Sequence, residues 1–146
     1  MSAYTSDLLL ALARPLASGE LAFSSEDTWL VAKLNARFPF SGAKIDWHLL
    51  PDHRSPPASK SDRDVSFLAF LAECEPLIGG GTKAFYLNDN MLDGYLVGKF
   101  STLIQHMDSI LEMPAHHYVL GSDFGWVIAY TFEGDIDFGK APVPTS

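Results

Sequence analysis

Few residues in this chain are of types that could do chemistry: His116-His117, the acids Asp135 and Asp137, Cys74, the run Gly79-Gly80-Gly81-Thr82-Lys83, and two Asp-Phe-Gly triplets. Imidazole titrates near neutral pH and ligates zinc, so adjacent histidines suggest a metal or acid-base pair. Neighbours on a strand point to opposite faces, so His116 and His117 do not share one metal, and only the fold could bring in His48 or His106. The residues read as one histidine hydrogen-bonded at the core edge and one in solvent, with no metal and no cofactor. Cys74 lies between Glu73 and Glu75, whose charges raise a thiol pKa, which is wrong for a nucleophile. A phosphate loop needs Gly-Lys-Ser/Thr opening a helix after a strand. Here Thr82 precedes Lys83 and a strand follows a helix, so residues 79–83 read as a flexible connector. The triplets at 123–125 and 137–139 lack every other kinase element and read as turns at strand ends. Asp135 and Asp137 share a strand face, as hydrolytic carboxylates do, but no aromatic sugar platform accompanies them. They read as a solvated acidic edge that blocks strand addition. No motif makes the chain an enzyme.

The elements that must position these residues centre on HHYVLGSDFGWVIAYTFEGDIDFG, residues 116–139. Its runs HHYVL, FGWVIAYT and DIDF, separated by turn residues, predict an antiparallel meander. Alternation puts Phe124, Trp126, Ile128 and Tyr130 on one face and Val127, Ala129 and Thr131 on the other. Neither face is polar, so residues 124–131 are expected to be the centre of the sheet, covered on both sides, with Trp126 buried.

Upstream, Ser6 or Thr5 caps a first helix carrying Leu8, Leu9, Leu12 and Leu16, which Pro15 ends or kinks. Ser24 to Asp27 opens a second helix, with Trp29, Leu30, the Lys33 stem, Leu34 and Phe38 inward. KIDWHLL, residues 44–50, alternates like a strand, and Pro51–Ser61 reads as a surface loop. Ser61-Asp62 caps a third helix with Val65, Phe67, Leu68, Leu71 and Ala72 inward, ended by Pro76 and the glycines. KAFYL and Tyr95-Leu96-Val97 are strands. A fourth helix capped by Ser101 buries Leu103, Ile104, Met107, Ile110 and Leu111, and the tail APVPTS frays. The expected fold is α+β, one domain over residues 1–146, with an antiparallel sheet of about five or six strands and helices packed on it.

The chain has 146 residues, 47% of them hydrophobic, and a net charge of −8. That charge excludes nucleic acid or an anionic membrane surface as a partner and favours a basic one. Residues 83–146 carry three lysines against eight acids, so the C-terminal half is the more acidic. One cysteine permits no internal disulfide, and the apolar run Leu8 to Ala13 is interrupted by Arg14 and follows Asp7, unlike a secretion signal. A cytoplasmic protein is expected.

The segment from Lys83 onward, with the KAFYL strand, Trp126 and the Glu133-Gly134-Asp135 turn, resembles the ending shared by small bacterial immunity proteins. These neutralise polymorphic or contact-dependent inhibition toxins. The resemblance implies a cytoplasmic α+β protein that binds a toxin domain. An acidic chain without an active-site motif acts in this reading by covering a basic cleft, with Asp123, Glu133, Asp135 and Asp137 as contacts. The alternatives are a small enzyme whose site assembles from scattered His and Asp residues, or a regulatory or structural domain of a larger complex.

Overall fold

The computed structural model describes residues 2–42, 44–56, 62–89 and 91–142. The C-terminal meander forms as its alternation predicts: β6 (His117–Gly121), β7 (Trp126–Tyr130) and β8 (Ile136–Lys140) pair antiparallel. Gly134 takes the positive φ that the β7–β8 turn requires. With β4 (Lys83–Asn88), β5 (Tyr95–Lys99) and β1 (Leu21–Ser24) they make a six-stranded antiparallel sheet of order β1-β5-β4-β6-β7-β8. The fold is therefore α+β. The centre of the sheet is β4 and β6, not residues 124–131, because β8 alone lies outside β7.

Both faces are covered, which the two apolar sides of β7 demand. Trp126, Ile128 and Tyr130 face α1 (Ala3–Ala11), α4 (Arg63–Ile78), α5 (Phe100–Gln105) and α6 (Met107–Ile110), packing with Leu8, Phe67, Leu71, Leu103 and Met107. Val127, Ala129, Leu87, Tyr118 and Leu120 face the other way. There Leu30, Leu34 and Phe38, on and just after α3 (Thr28–Arg37), cover them together with the small hairpin of β2 (Phe40–Ser41) and β3 (Lys44–Ile45). Phe124 departs from the expected alternation. It sits in the β6–β7 turn at φ 59°, which turns its ring away from Trp126 and onto Phe85 and Trp29.

Elsewhere the expected boundaries shift for identifiable reasons. Ser2, not Ser6 or Thr5, caps α1, and Pro15 lies in the first turn of a separate short helix, α2 (Ala13–Ser18), where a missing N–H costs no bond. Ser24 belongs to strand β1, so α3 starts only at Thr28, and Trp29, expected inward, stays 42% exposed. Only Lys44 and Ile45 of the KIDWHLL run are strand. Asp46 accepts the His48 amide and starts a 3-10 turn over Trp47–Leu49.

Helix α4 is capped by Asp62, as expected, but continues past Pro76 to Ile78, with Val65 and Ala72 exposed rather than inward. Pro76 removes the bond to the Ala72 carbonyl at a position open to water. Lys99, not Ser101, occupies the cap position of α5, and the expected fourth helix breaks at His106 into α5 and α6. The glycine connector is tied rather than loose, since Gly80 and Thr82 carbonyls accept the Ser101 and Phe100 amides. The first half of the 51–61 loop is bonded to β8 through reciprocal Arg54 and Phe138 backbone contacts. Residues 57–61 and the tail from 143 lie outside the described residues.

A polar chain crosses the helix-side core. Asn88 donates to the Tyr86 hydroxyl at 2.9 Å, and Tyr86 bonds His117 Nδ1 at 2.7 Å. The His117 ring also bonds the Met113 backbone, which makes Nε2–H the donor and Nδ1 the acceptor from Tyr86. Burial holds His117 down to about 4. A histidine depressed in the fold stabilises it fully above its unfolded value and loses that contribution as pH falls through the folded one. Stability should therefore drop by about 3 kcal/mol between roughly pH 6.5 and 4. Urea denaturation across that range tests it, and His117→Gln should lie lower at pH 7 with a flatter profile. Trp126, 7% exposed and edge-on to Phe100 at 5.2 Å, should cost about 3–5 kcal/mol when truncated to Ala, read from the same melts.

Candidate functional site

The register of four strands lays one row of side chains straight across the sheet on the α3 side. Leu87 pairs with Tyr118, Tyr118 with Ala129, and Ala129 with Asp137. Residues directly opposite in adjacent strands share a face. The row forms the floor of two clefts, of about 660 and 460 Å³, and Tyr118 lines both. The larger is walled by α3 and the residues after β4, with Asp27, Asp89 and Asp93 at its sides. The smaller lies over Ala129 and Asp137 beside the β2–β3 hairpin and the Trp47 turn.

The smaller cleft contains a pair that sequence reasoning missed. His53 Nε2 lies 2.7 Å from Asp137 Oδ1, and the His53 ring stacks on Trp47 at 5.6 Å and 17°. The two partners are 84 positions apart, so no spacing could announce them. Burial raises the Asp137 carboxyl above its ordinary value and outweighs the lowering effect of the His53 bond. A carboxylate that orients one ring nitrogen leaves the other free for proton transfer. Ser55, the nearest hydroxyl in sequence, donates to the Ile136 carbonyl at 2.8 Å and also acts on the Asp137 carboxyl, whose pKa its hydrogen bonding lowers.

The four acids expected to form one surface are divided. Glu133 and Asp135 meet at the end of β7 and share Lys44, at 3.3 and 3.8 Å. The Glu133 carboxyl is held below its ordinary value by its own backbone amide and by Lys44. Asp135 is exposed on the same rim as expected, whereas the Asp137 side chain is only 14% exposed and does not present its charge outward. The expected shared strand face does not extend to a shared environment, because His53 and Trp47 cover Asp137 and leave Asp135 open. Asp123 lies beyond the other end of β7, about 15 Å away along the strand. It accepts the Gly125 amide at 2.9 Å and borders a different cleft with Arg54 and Lys140.

The remaining candidates resolve simply. His116 accepts the Phe132 amide and His117 faces the opposite core, so the two rings part as alternation requires, but His116 is only 18% exposed rather than in solvent. Cys74 is buried, and that burial, with Glu73, pushes its thiol up to about 11. Among the described residues no three metal-capable side chains converge, and no helix is long and apolar enough to cross a membrane. His106 Nε2, at the α5–α6 break, is covered without a hydrogen bond but faces no cluster of such groups among the described residues. A further cleft along β1 sets Lys83 directly opposite Lys99.

Compared with family models, curated proteins and solved structures, the chain matches none.

The unequal settings of the two strand acids lead to unequal variants. Asp135→Lys should change stability by no more than about 0.5 kcal/mol, as exposed substitutions do. Asp137→Lys should cost about 1–3 kcal/mol, because it strips His53 of its acceptor and places a cation under Trp47. Equal urea midpoints for the two variants would contradict the anchored position of Asp137.

Proposed function

We propose that the chain is an immunity-type binding protein that covers a basic cleft of a bacterial toxin domain. The observation that carries this reading is the lining of the two clefts over the Leu87–Asp137 row. Their described walls hold six aspartates and a single lysine, and that lysine is already paired with Glu133 and Asp135. Such a surface repels nucleic acid and anionic lipid and attracts a cationic protein surface, in keeping with the net charge of −8. Glu133 and Asp135 serve as contacts on its rim. Asp123, at the opposite end of β7, meets only a partner broad enough to span the sheet. A basic toxin domain also fits the resemblance carried by Trp126 and the Glu133-Gly134-Asp135 turn, and such a complex forms in the cytoplasm.

The His53–Asp137 pair supports a second reading, a small enzyme that uses His53 as a general base on water. The two readings differ in what His53→Gln destroys, a variant that removes the imidazole base and can still bond Asp137. In the binding reading the folded variant still protects, whereas in the enzymatic one turnover is lost.

Co-expression tests the proposal. A toxin domain encoded in the neighbouring reading frame should arrest growth alone, be neutralised by this chain, and co-elute with it in size-exclusion chromatography. Growth arrest that persists in the presence of the folded chain, with no co-elution, would overturn the proposal.

A further inference from the structure

The geometry points to the Leu87–Tyr118–Ala129–Asp137 trough as the place where a partner protein inserts an arginine side chain, with the Tyr118 hydroxyl as its innermost hydrogen-bond acceptor. This inference rests on the binding reading above and names the chemistry of the contact.

Three observations converge on it. First, Tyr118 is 8% exposed, yet it lines both clefts, and its hydroxyl makes no hydrogen bond to any described residue. Every other tyrosine buried to that degree, Tyr86 and Tyr130, has its hydroxyl bonded, to His117 and Asp64 respectively. A phenol that is mostly buried usually finds a partner, so one without a partner among the described residues, and not among the covered atoms that lack one, keeps its polar tip open to the clefts, where a ligand can reach it.

Second, the floor beside Tyr118 is Ala129, the smallest side chain in the row, and the dent it leaves lies between the phenol and Asp137. Across four strands the row measures about 14 Å, enough to seat a long side chain and the backbone next to it.

Third, the charge on both sides of the phenol is predominantly negative, the one lysine among the described lining residues, Lys44, being already paired with Glu133 and Asp135. Asp27 and Asp89 stand at one end, and Asp46, Asp135 and Asp137 at the other. Burial raises the Tyr118 phenol to about 12, with Asp89 and Glu133 adding to the rise. The phenol is thus neutral at physiological pH and its oxygen keeps lone pairs for an incoming N–H. Guanidinium suits these surroundings better than ammonium, because its plane stacks on aromatic faces while its N–H fork reaches carboxylates.

The probe is an acetylated, amidated tetra-arginine peptide, with the uncharged tetra-citrulline peptide as control, titrated into the isotope-labelled full chain by NMR. Saturable shifts should centre on the Tyr118 and Ala129 amides for the arginine peptide and be missing for the citrulline one. Tyr118→Phe removes one oxygen that bonds no described residue, so the variant stays folded, and it should bind about fivefold more weakly. Ala129→Val, which fills the dent, should weaken binding as well, while Asp108→Asn, exposed on α6 on the opposite side of the sheet, should leave it unchanged.

Shifts centred elsewhere, no saturation at millimolar peptide, or equal affinity in Tyr118→Phe would each overturn the inference. The same variant separates this failure from failure of the function beneath it. A toxin complex that forms equally well with Tyr118→Phe removes the trough and leaves the immunity reading standing, whereas absence of any complex with the parent chain removes that reading itself.

Discussion

Two-sided burial of β6 and β7 is the constraint on which the rest of the structure depends. Every residue of both strands is buried, and their side chains alternate between two separate apolar clusters. A strand of that kind cannot lie on a protein surface, because leaving either face wet would expose several large side chains at about 25 cal/mol per Å². The two covers are unequal. Four helices close one face. The other has α3, a hairpin of two-residue strands and the segment carrying Trp47 and His53. The clefts over the Leu87–Asp137 row are what this thinner cover leaves open.

How the acids divide follows from that cover. Asp89 accepts the His116 amide at 2.7 Å, and Asp93 binds Thr5 and Ser2 of the α1 cap, so both tie loops down while still bordering the larger cleft. Asp137 holds His53, and Glu133 with Asp135 holds Lys44. Acids used in this way keep their negative potential, since most of their partners are neutral amides and hydroxyls. The acidic field is therefore fixed in place by the same bonds that shape the loops, an arrangement that suits recognition without large rearrangement.

Sequence made the meander legible because period-two alternation persists through Trp126, Ile128 and Tyr130 on one side and Val127 and Ala129 on the other. It concealed β1, a four-residue strand lying just before the signals that open α3. Its close pairing with β5 is marked only by glycines: a Cβ at Gly94 would fall 2.1 Å from the Ser24 carbonyl oxygen. Alternation also told which way Asp137 points but not what lies over it, since His53 and Trp47 come from a stretch whose Asp46 turn broke the expected strand. Tyr118 gave no signal at all. Its place in an apolar run explains its burial, and only the register of four strands shows that its hydroxyl ends between two clefts.

The central claim is that an acidic face recruits a basic protein, and the salt dependence of association tests it most directly. Association and dissociation rates of the parent chain with the toxin domain proposed as its partner are to be measured by stopped flow at about 50 and 500 mM salt, where the screening length falls severalfold. Charge steering acts on encounter, so the association rate should fall about tenfold or more while dissociation changes far less. An association rate that is the same at both salt concentrations would contradict the account.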